Sequence, residues 1–410
     1  MASAPFDYAT LFRAGLPAPA ARWNGFPAYN FVGGHNDAAT MPVKDMVDAI
    51  TRVLEREGKT LATYGLESGP LGYRPLRDFL AAKLERQAGI TCTADEILIT
   101  SGSLQGLDLV NQLLVGPGDT VIIEQGTYGG AMTRVNKLGA RIVCAPLDSD
   151  GLCMTSLANI LEDLKAKGIQ PKYIYTIPTI QNPTGSILPV DRRRELLRLS
   201  AAYGVPIFED ECYSDLVWDG ERPPALRGMC NSDQVIFVGS FSKSIAPALR
   251  VGYVVASWDI LSRMLACKTD AGSGALEQML LAEYCTRHFD AHVARIRGTL
   301  RAKLDALVEA LGEHFGTAAE FEIPKGGIFL WVKLPDGVDT TKLAQAALAA
   351  GVAINPGAEW ATDPDWGRCR LRICFANPPI ETIRKGVAVL AEVAHRELGV
   401  PSRIANVTRG

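Results

Sequence analysis

Residues 173–210 read YIYTIPTIQNPTGSILPVDRRRELLRLSAAYGVPIFED. The stretch opens on YIYTIP (173–178) and closes on PIFED (206–210), two runs of strand length that are apolar almost throughout. Runs without strict alternation suit strands covered on both faces. Between them VDRRRELLRLSAAYG (190–204) reads as a helix, and Gly204 supplies the left-handed residue that closes one. Strand, helix and strand in succession predict an α/β fold with a mainly parallel sheet.

The same alternation extends outward, from about residue 75 to residue 257. Further strand candidates are EILIT (96–100), TVIIEQ (120–125), ARIVCAPL (140–147), VIFVGSF (235–241) and GYVVAS (252–257), seven in all. PLRDFLAAKLERQAG (75–89) and LQGLDLVNQLLVG (104–116) are helical, with Pro75 tolerated in a first turn and Gly89 and Gly116 read as closing residues. A long helical region follows at roughly 258–315. After it the texture changes. FEIPKGGIFLWVKLP (321–335) reads as strands around a glycine turn, TTKLAQAALAAG (340–351) as a helix, and GVAINPG (351–357) and CRLRICFAN (369–377) as strands; PIETIRKGVAVLAEVAHREL (379–398) reads as a helix. This is a smaller α+β unit. A chain of 410 residues exceeds what one core usually serves, about 250–300 residues. The reading therefore divides it into an arm (1–45) that joins the small domain, a large domain (46–295) and a small C-terminal domain (296–410).

Composition narrows the function. Lys and Arg total 42 against 45 Asp and Glu, and no basic run exceeds the three arginines at 192–194, which argues against a nucleic-acid partner. Charges interrupt every stretch approaching the roughly 20 apolar residues of a membrane span. MASAPFDYATLFRAGLPAPAARW (1–23) lacks the apolar centre of a signal peptide, so a cytoplasmic location is expected. The nine cysteines form no CxxC pair and read as reduced, mostly buried thiols of a cytoplasmic protein. His288 and His292 are four residues apart on one helical face and, with no third ligand in view, read as a solvated face and not a metal site.

Ligands of parallel sheets bind beyond the carboxyl ends of the strands, and the polar residues collect there. Glu209-Asp210-Glu211 ends one strand and precedes Tyr213; Ser240-Phe241-Ser242-Lys243 ends another, with Arg250 seven residues on. Asn182-Pro183-Thr184-Gly185 follows a third, and Ser101-Gly102-Ser103 follows a fourth and opens a helix. Each has a plain alternative: a turn sequence, an N-cap, a loop start, an exposed lysine. Together they form a compatible set. An aldehyde cofactor bearing a phosphate needs an amine for a Schiff base, and a helix N-terminus with an arginine for the anion. A pyridine nitrogen needs a carboxylate to hold its proton. These are the requirements of pyridoxal 5'-phosphate.

The sequence also resembles the class I/II aminotransferases of fold type I, in the branch with 2-aminoadipate and broad-specificity enzymes. The resemblance runs from YGLESGPLGYRPLR (64–77) to LRICFAN (371–377), through IPTIQNPTG (177–185), FEDECYSDL (208–216), GSFSKSIAPALRVGY (239–253) and PKGGIFLWVKLP (324–335). It implies that Lys243 carries the cofactor as an aldimine and shuttles the substrate proton, that Asp210 pairs with the ring nitrogen, and that Tyr213 and Asn182 flank the ring oxygen. Ser240 and Arg250, with the backbone of Ser103 and Leu104, would hold the phosphate. Tyr128 would stack on the ring and Arg372 grip the substrate carboxylate. Gly34, within FVGGHND (31–37), would approach the substrate, with His35 and Asn36 where specificity is decided. Tyr64 would reach the partner's cofactor phosphate in a homodimer with shared sites; the alternative is a buried aromatic at the domain seam.

The implied reaction moves the amino group of an L-α-amino acid to a 2-oxo acid such as 2-oxoglutarate, through pyridoxamine phosphate. Another reaction on the same cofactor (decarboxylase, eliminating lyase or oxidase) is the alternative. A ligand-sensing regulator domain is a further one, disfavoured because the sixty or so residues before YGLESG are neither basic nor helix-rich.

Overall fold

Seven apolar segments between Ile97 and Val255 build one sheet. In the computed structural model, which describes residues 7–401 apart from 14, 17, 231 and 232, the strands are β1 (Tyr29–Asn30), β2 (Ile97–Thr100), β3 (Thr120–Glu124), β4 (Arg141–Ala145), β5 (Leu147–Asp148), β6 (Gly151–Leu152), β7 (Ile174–Thr176), β8 (Ile207–Asp210), β9 (Val235–Ser240), β10 (Gly252–Val255), β11 (Phe329–Lys333), β12 (Val352–Ala353), β13 (Asn355–Pro356) and β14 (Arg370–Cys374). The helices are α1 (Val43–Glu57), α2 (Arg74–Ala88), α3 (Ser103–Leu114), α4 (Gly129–Lys137), α5 (Met154–Ala166), α6 (Val190–Tyr203), α7 (Trp258–Cys267), α8 (Ala275–His314), α9 (Thr340–Ala349), α10 (Pro364–Gly367) and α11 (Ile380–Leu398). Residues 1–6 of the expected arm, and 402–410, lie outside the described residues.

The large sheet runs β2-β10-β9-β8-β7-β3-β4. All seven expected strands are in it. Pairing is parallel from β9 through to β4, while β10 is antiparallel to both its neighbours. Six strands therefore point one way, and their carboxyl ends share one edge with the start of β10. Helices cover both faces, so β2, β3, β7, β8, β9 and β10 are buried at every residue, as their unbroken apolar character demands. Only β4, at the sheet's edge, is part-exposed.

Helix ends mostly follow the glycines. Gly89 and Gly204 take left-handed conformations at φ 68° and 64°. Gly116 does not close its helix: Val115 is the cap, and the Gly116 N–H donates to Asp119 at 2.8 Å in the turn beyond. The helical region at 258–315 is two helices, α7 and α8.

α8 is 40 residues long and crosses the expected 295/296 boundary without a break. Met279 to Val293 pack with Leu76, Leu80 and Phe241, whereas Ile296 to Leu311 pack with Phe329, Ile373 and Leu390 around the three-stranded sheet β11-β14-β13. The chain segment before α1 joins this second cluster: β1 pairs with β12, and Phe31 is fully buried. The solvated-face expectation fails for His292, which is 1% exposed with Tyr284 Oη 2.9 Å from Nδ1. α1 and α2 pack on α8 and bury that side. Among the described residues, no helix is long and apolar enough to cross a membrane.

Candidate active site

The shared edge of the sheet concentrates the polar residues. At β9's end, the Ser242 N–H donates to Ser240 Oγ at 3.0 Å, and the chain turns to present Lys243. Lys243 Nζ donates to the Gly34 carbonyl at 3.0 Å, bringing the segment before α1 over the sheet. The chain returns through Arg250, at φ 52°, into β10. Arg250 Nη1 donates to Ser242 Oγ at 3.4 Å and to the Pro247 carbonyl at 3.1 Å.

Two glycines let this return approach the start of α3. Gly102 sits at φ 77°, and a Cβ there would strike the Arg250 guanidinium; a Cβ on Gly252 would strike the Ser103 backbone N. The first N–H groups of a helix have no partner within it and carry partial positive charge. Beside a guanidinium and the Ser240 and Ser242 hydroxyls, they could hold an anion.

Asp210 ends β8 and is 5% exposed. It accepts from Tyr175 Oη at 2.8 Å and from the Cys212 N–H at 3.3 Å. Burial raises its pKa. Among the described residues no cationic side chain forms an ion pair with it. Burial lowers the pKa of Lys243, and the charges of Arg372 and Arg250 push the same way, which enlarges the share of neutral, nucleophilic amine.

Asn182 connects two further groups: its Nδ2 donates to Tyr213 Oη at 3.2 Å, and its Oδ1 accepts from Arg372 Nη1 at 3.0 Å. Arg372 Nη2 donates to Asn355 Oδ1 at 3.0 Å. Its guanidinium lies 3.4 Å from the Trp360 ring centroid, and its buried Nε has no partner among the described residues. Arg372 is 4% exposed and, among the described residues, pairs with no carboxylate. A buried arginine held by two amides and an aromatic face, with three of its five N–H donors unused by these bonds, has the donors a carboxylate could take.

One cavity of about 130 Å³ joins these parts. Ser103, Leu104, Ser240 and Arg250 line its anion end. Lys243 and Asp210 line its middle, and Tyr128, Asn182 and Tyr213 also face it. Gly34 and Arg372 do not line it, but each bonds to a residue that does, Lys243 and Asn182 respectively. Tyr64 stands apart. It is 91% exposed and lines a separate groove of about 740 Å³ with residues such as Gly72, Lys268 and Ser273. That exposure overturns the alternative of a buried aromatic at a seam.

Several participants escaped sequence reasoning. Ser242 and Cys212 line the cavity from inside motifs already singled out, and only their neighbours were assigned. Tyr175, Asn355 and Trp360 reach Asp210 and Arg372 from other strands and loops. Strand register and loop pairing place them, and neither leaves a local signal.

Residues 33–390 match the family profile for aminotransferase class I and II. The chain belongs to this family, and it is an enzyme of amino-group transfer with the fold type I architecture. It is 32% identical to the aromatic-amino-acid aminotransferase 1 of Thermococcus litoralis over 372 residues, 90% of this chain and 88% of that protein. The multiple substrate aminotransferase from Thermococcus profundus superposes with a TM-score of 0.88 at 31% identity, covering 96% of this chain and 100% of that one. LysN, the α-aminoadipate aminotransferase of Thermus thermophilus, complexed with N-(5'-phosphopyridoxyl)-L-leucine, superposes at 0.83 with 31% identity, covering 91% and 93%.

Proposed function

We propose that this aminotransferase uses pyridoxal 5'-phosphate attached to Lys243, and moves the amino group of an L-α-amino acid to a 2-oxo acid such as 2-oxoglutarate. The observation that carries this reading is the single cavity in which a lysine amine, a buried carboxylate without a cation, and an anion cup meet. The residues fit the group. The Ser103 and Leu104 N–H groups, Ser240 and Arg250 take the phosphate, and Asp210 takes the ring nitrogen. Tyr213 and Asn182 take the ring oxygen, and Tyr128 the ring face. When bound, the cofactor supplies an electron-poor ring that accepts the electron pair left on the substrate carbon. Lys243 Nζ moves the proton at the substrate Cα. Arg372 binds the α-carboxylate and orients the Cα–H bond towards that amine, with Gly34 close beside it. The phosphopyridoxyl-leucine complex of LysN supports the cofactor assignment.

We further propose a cytoplasmic homodimer with shared sites. Tyr64 is exposed beside a groove of about 740 Å³, where a partner's phosphate end would come within its reach. The nine cysteines are free, which is compatible with a reducing compartment, but only Cys285 and Cys374 are buried, against the expectation of mostly buried thiols.

A panel of amino donors with 2-oxoglutarate tests the reaction. The visible absorbance should fade with a good donor and return with 2-oxoglutarate, with glutamate formed in equal amount. Release of carbon dioxide or hydrogen peroxide in place of glutamate would point instead to decarboxylation or oxidation. Arg372→Lys is expected to raise KM by about 10-fold or more while kcat falls less, because an ammonium cannot reproduce the planar two-bond grip. An unchanged KM would remove the carboxylate assignment.

A further inference from the structure

Glu124, the last residue of β3, has no part in the chemistry above, yet it is 2% exposed and pairs with no cation among the described residues. Burial pushes its carboxyl up to about 7. A carboxylate so placed is costly unless its acceptor capacity is used. Here three donors converge on it: Thr176 Oγ1 at 2.5 Å, the Ile177 N–H at 3.2 Å and Gln181 Nε2 at 3.0 Å.

Gln181 carries the connection further. Its Nε2 also donates to the Gly126 carbonyl at 2.6 Å, and its Oε1 accepts from the Thr184 N–H and hydroxyl, both at 2.9 Å. The loop 177–184 that holds Asn182 is thus fastened to the loop 125–128 that holds Tyr128. The second loop is fastened in turn to the segment carrying Trp360: the Thr127 N–H donates to the Trp360 carbonyl at 2.9 Å, and the Thr362 N–H to the Gln125 carbonyl at 2.9 Å. Trp360 and Asn182 are two of the groups that hold Arg372.

We propose that Glu124 is a positioning residue for the transamination: through Gln181 it locks the Asn182 and Tyr128 loops together, and through them it sets Asn182 on the ring oxygen and Arg372 on the substrate carboxylate. The inference rests on the cofactor reading above. What the tie requires is an acceptor, not a charge. A glutamine keeps one carbonyl oxygen for Ile177 and Gln181, and the Thr176 hydroxyl can turn to accept from its amide.

The test compares Glu124→Ala and Glu124→Gln in the holoenzyme. For the alanine variant kcat/KM should fall by about 10²-fold, the cost of a misplacement near 1 Å. The visible band of the bound cofactor should also titrate at higher pH, because the ring oxygen loses a donor and holds its proton more tightly. The glutamine variant should restore both. If the alanine variant fails to fold, Gln181→Ala cuts the same tie while leaving Glu124 two of its donors, and should show the same pH shift. An alanine variant, or Gln181→Ala in its place, with a wild-type titration and wild-type KM would overturn the proposal, whatever its melting temperature. A glutamine variant as impaired as the alanine one would also overturn it. A wild-type protein that stays colourless with pyridoxal phosphate would overturn the cofactor reading and this inference together.

Discussion

Replacing Lys243 with alanine is expected to remove the visible absorbance of the bound cofactor and to cut turnover by about 10⁴-fold, the upper range for losing a positioned proton carrier. Two properties of one amine are lost at once, the covalent attachment and the base. Stability should change little. Among the described residues the Nζ makes a single hydrogen bond, to the Gly34 carbonyl, and burial already disfavours its charge. The anion cup of Ser103, Ser240 and Arg250 is untouched, so the variant should still take up pyridoxal phosphate non-covalently. Absorbance spectra with and without the cofactor, thermal melting and a coupled glutamate assay separate these effects. A variant with wild-type colour would place the attachment on another residue.

Asp210→Ala is the second large effect. A carboxylate about 4 Å from a ring-nitrogen cation gains about 4 kcal/mol at an effective dielectric near 20, or about three pKa units. Burial raises the pKa of Asp210 when no cation faces it. A protonated ring nitrogen would reverse that, each group holding the other in its charged form. Without the carboxylate the ring loses its proton near neutral pH, and with it most of its capacity to accept electrons. Turnover should fall by about 10³-fold, while the dissociation constant for pyridoxal phosphate rises far less, since the phosphate contacts remain. Single-turnover kinetics beside an absorbance titration reads both quantities. Turnover within a few-fold of wild type would show that the nitrogen is held by something else.

Much of this was legible in the chain. The seven apolar runs became the seven strands because a doubly covered sheet leaves no room for alternation, and that signal is local. The candidate residues at strand ends came together because six strands share a direction. Most of the misses come from parts of the chain far apart in sequence, and one is local. His292 read as solvated because its own helix offers no sign of what packs on it, yet it is buried on a helix that α1 and α2 pack against from far away in the sequence. Gly116 read as a helix end because glycine favours one, but the chain had already left the helix at Val115. Tyr175 and Trp360 reach Asp210 and Arg372 only through register and loop pairing, and Glu124 acquires its role through Gln181, fifty-seven residues further on.

α8 has a mechanical consequence. Forty residues of helix extend about 60 Å, and this single rod is bonded to one core along its first half and to the other along its second. A change in the angle between the halves must therefore flex the rod or shear its packing. Flexing is cheapest at Gly298, which lies just past the point where the packing changes partners and where a side chain would meet nothing within 4 Å. Alanine there would stiffen the spine, and any slowing of substrate capture without a change in the chemical step would measure how far the enzyme depends on bending.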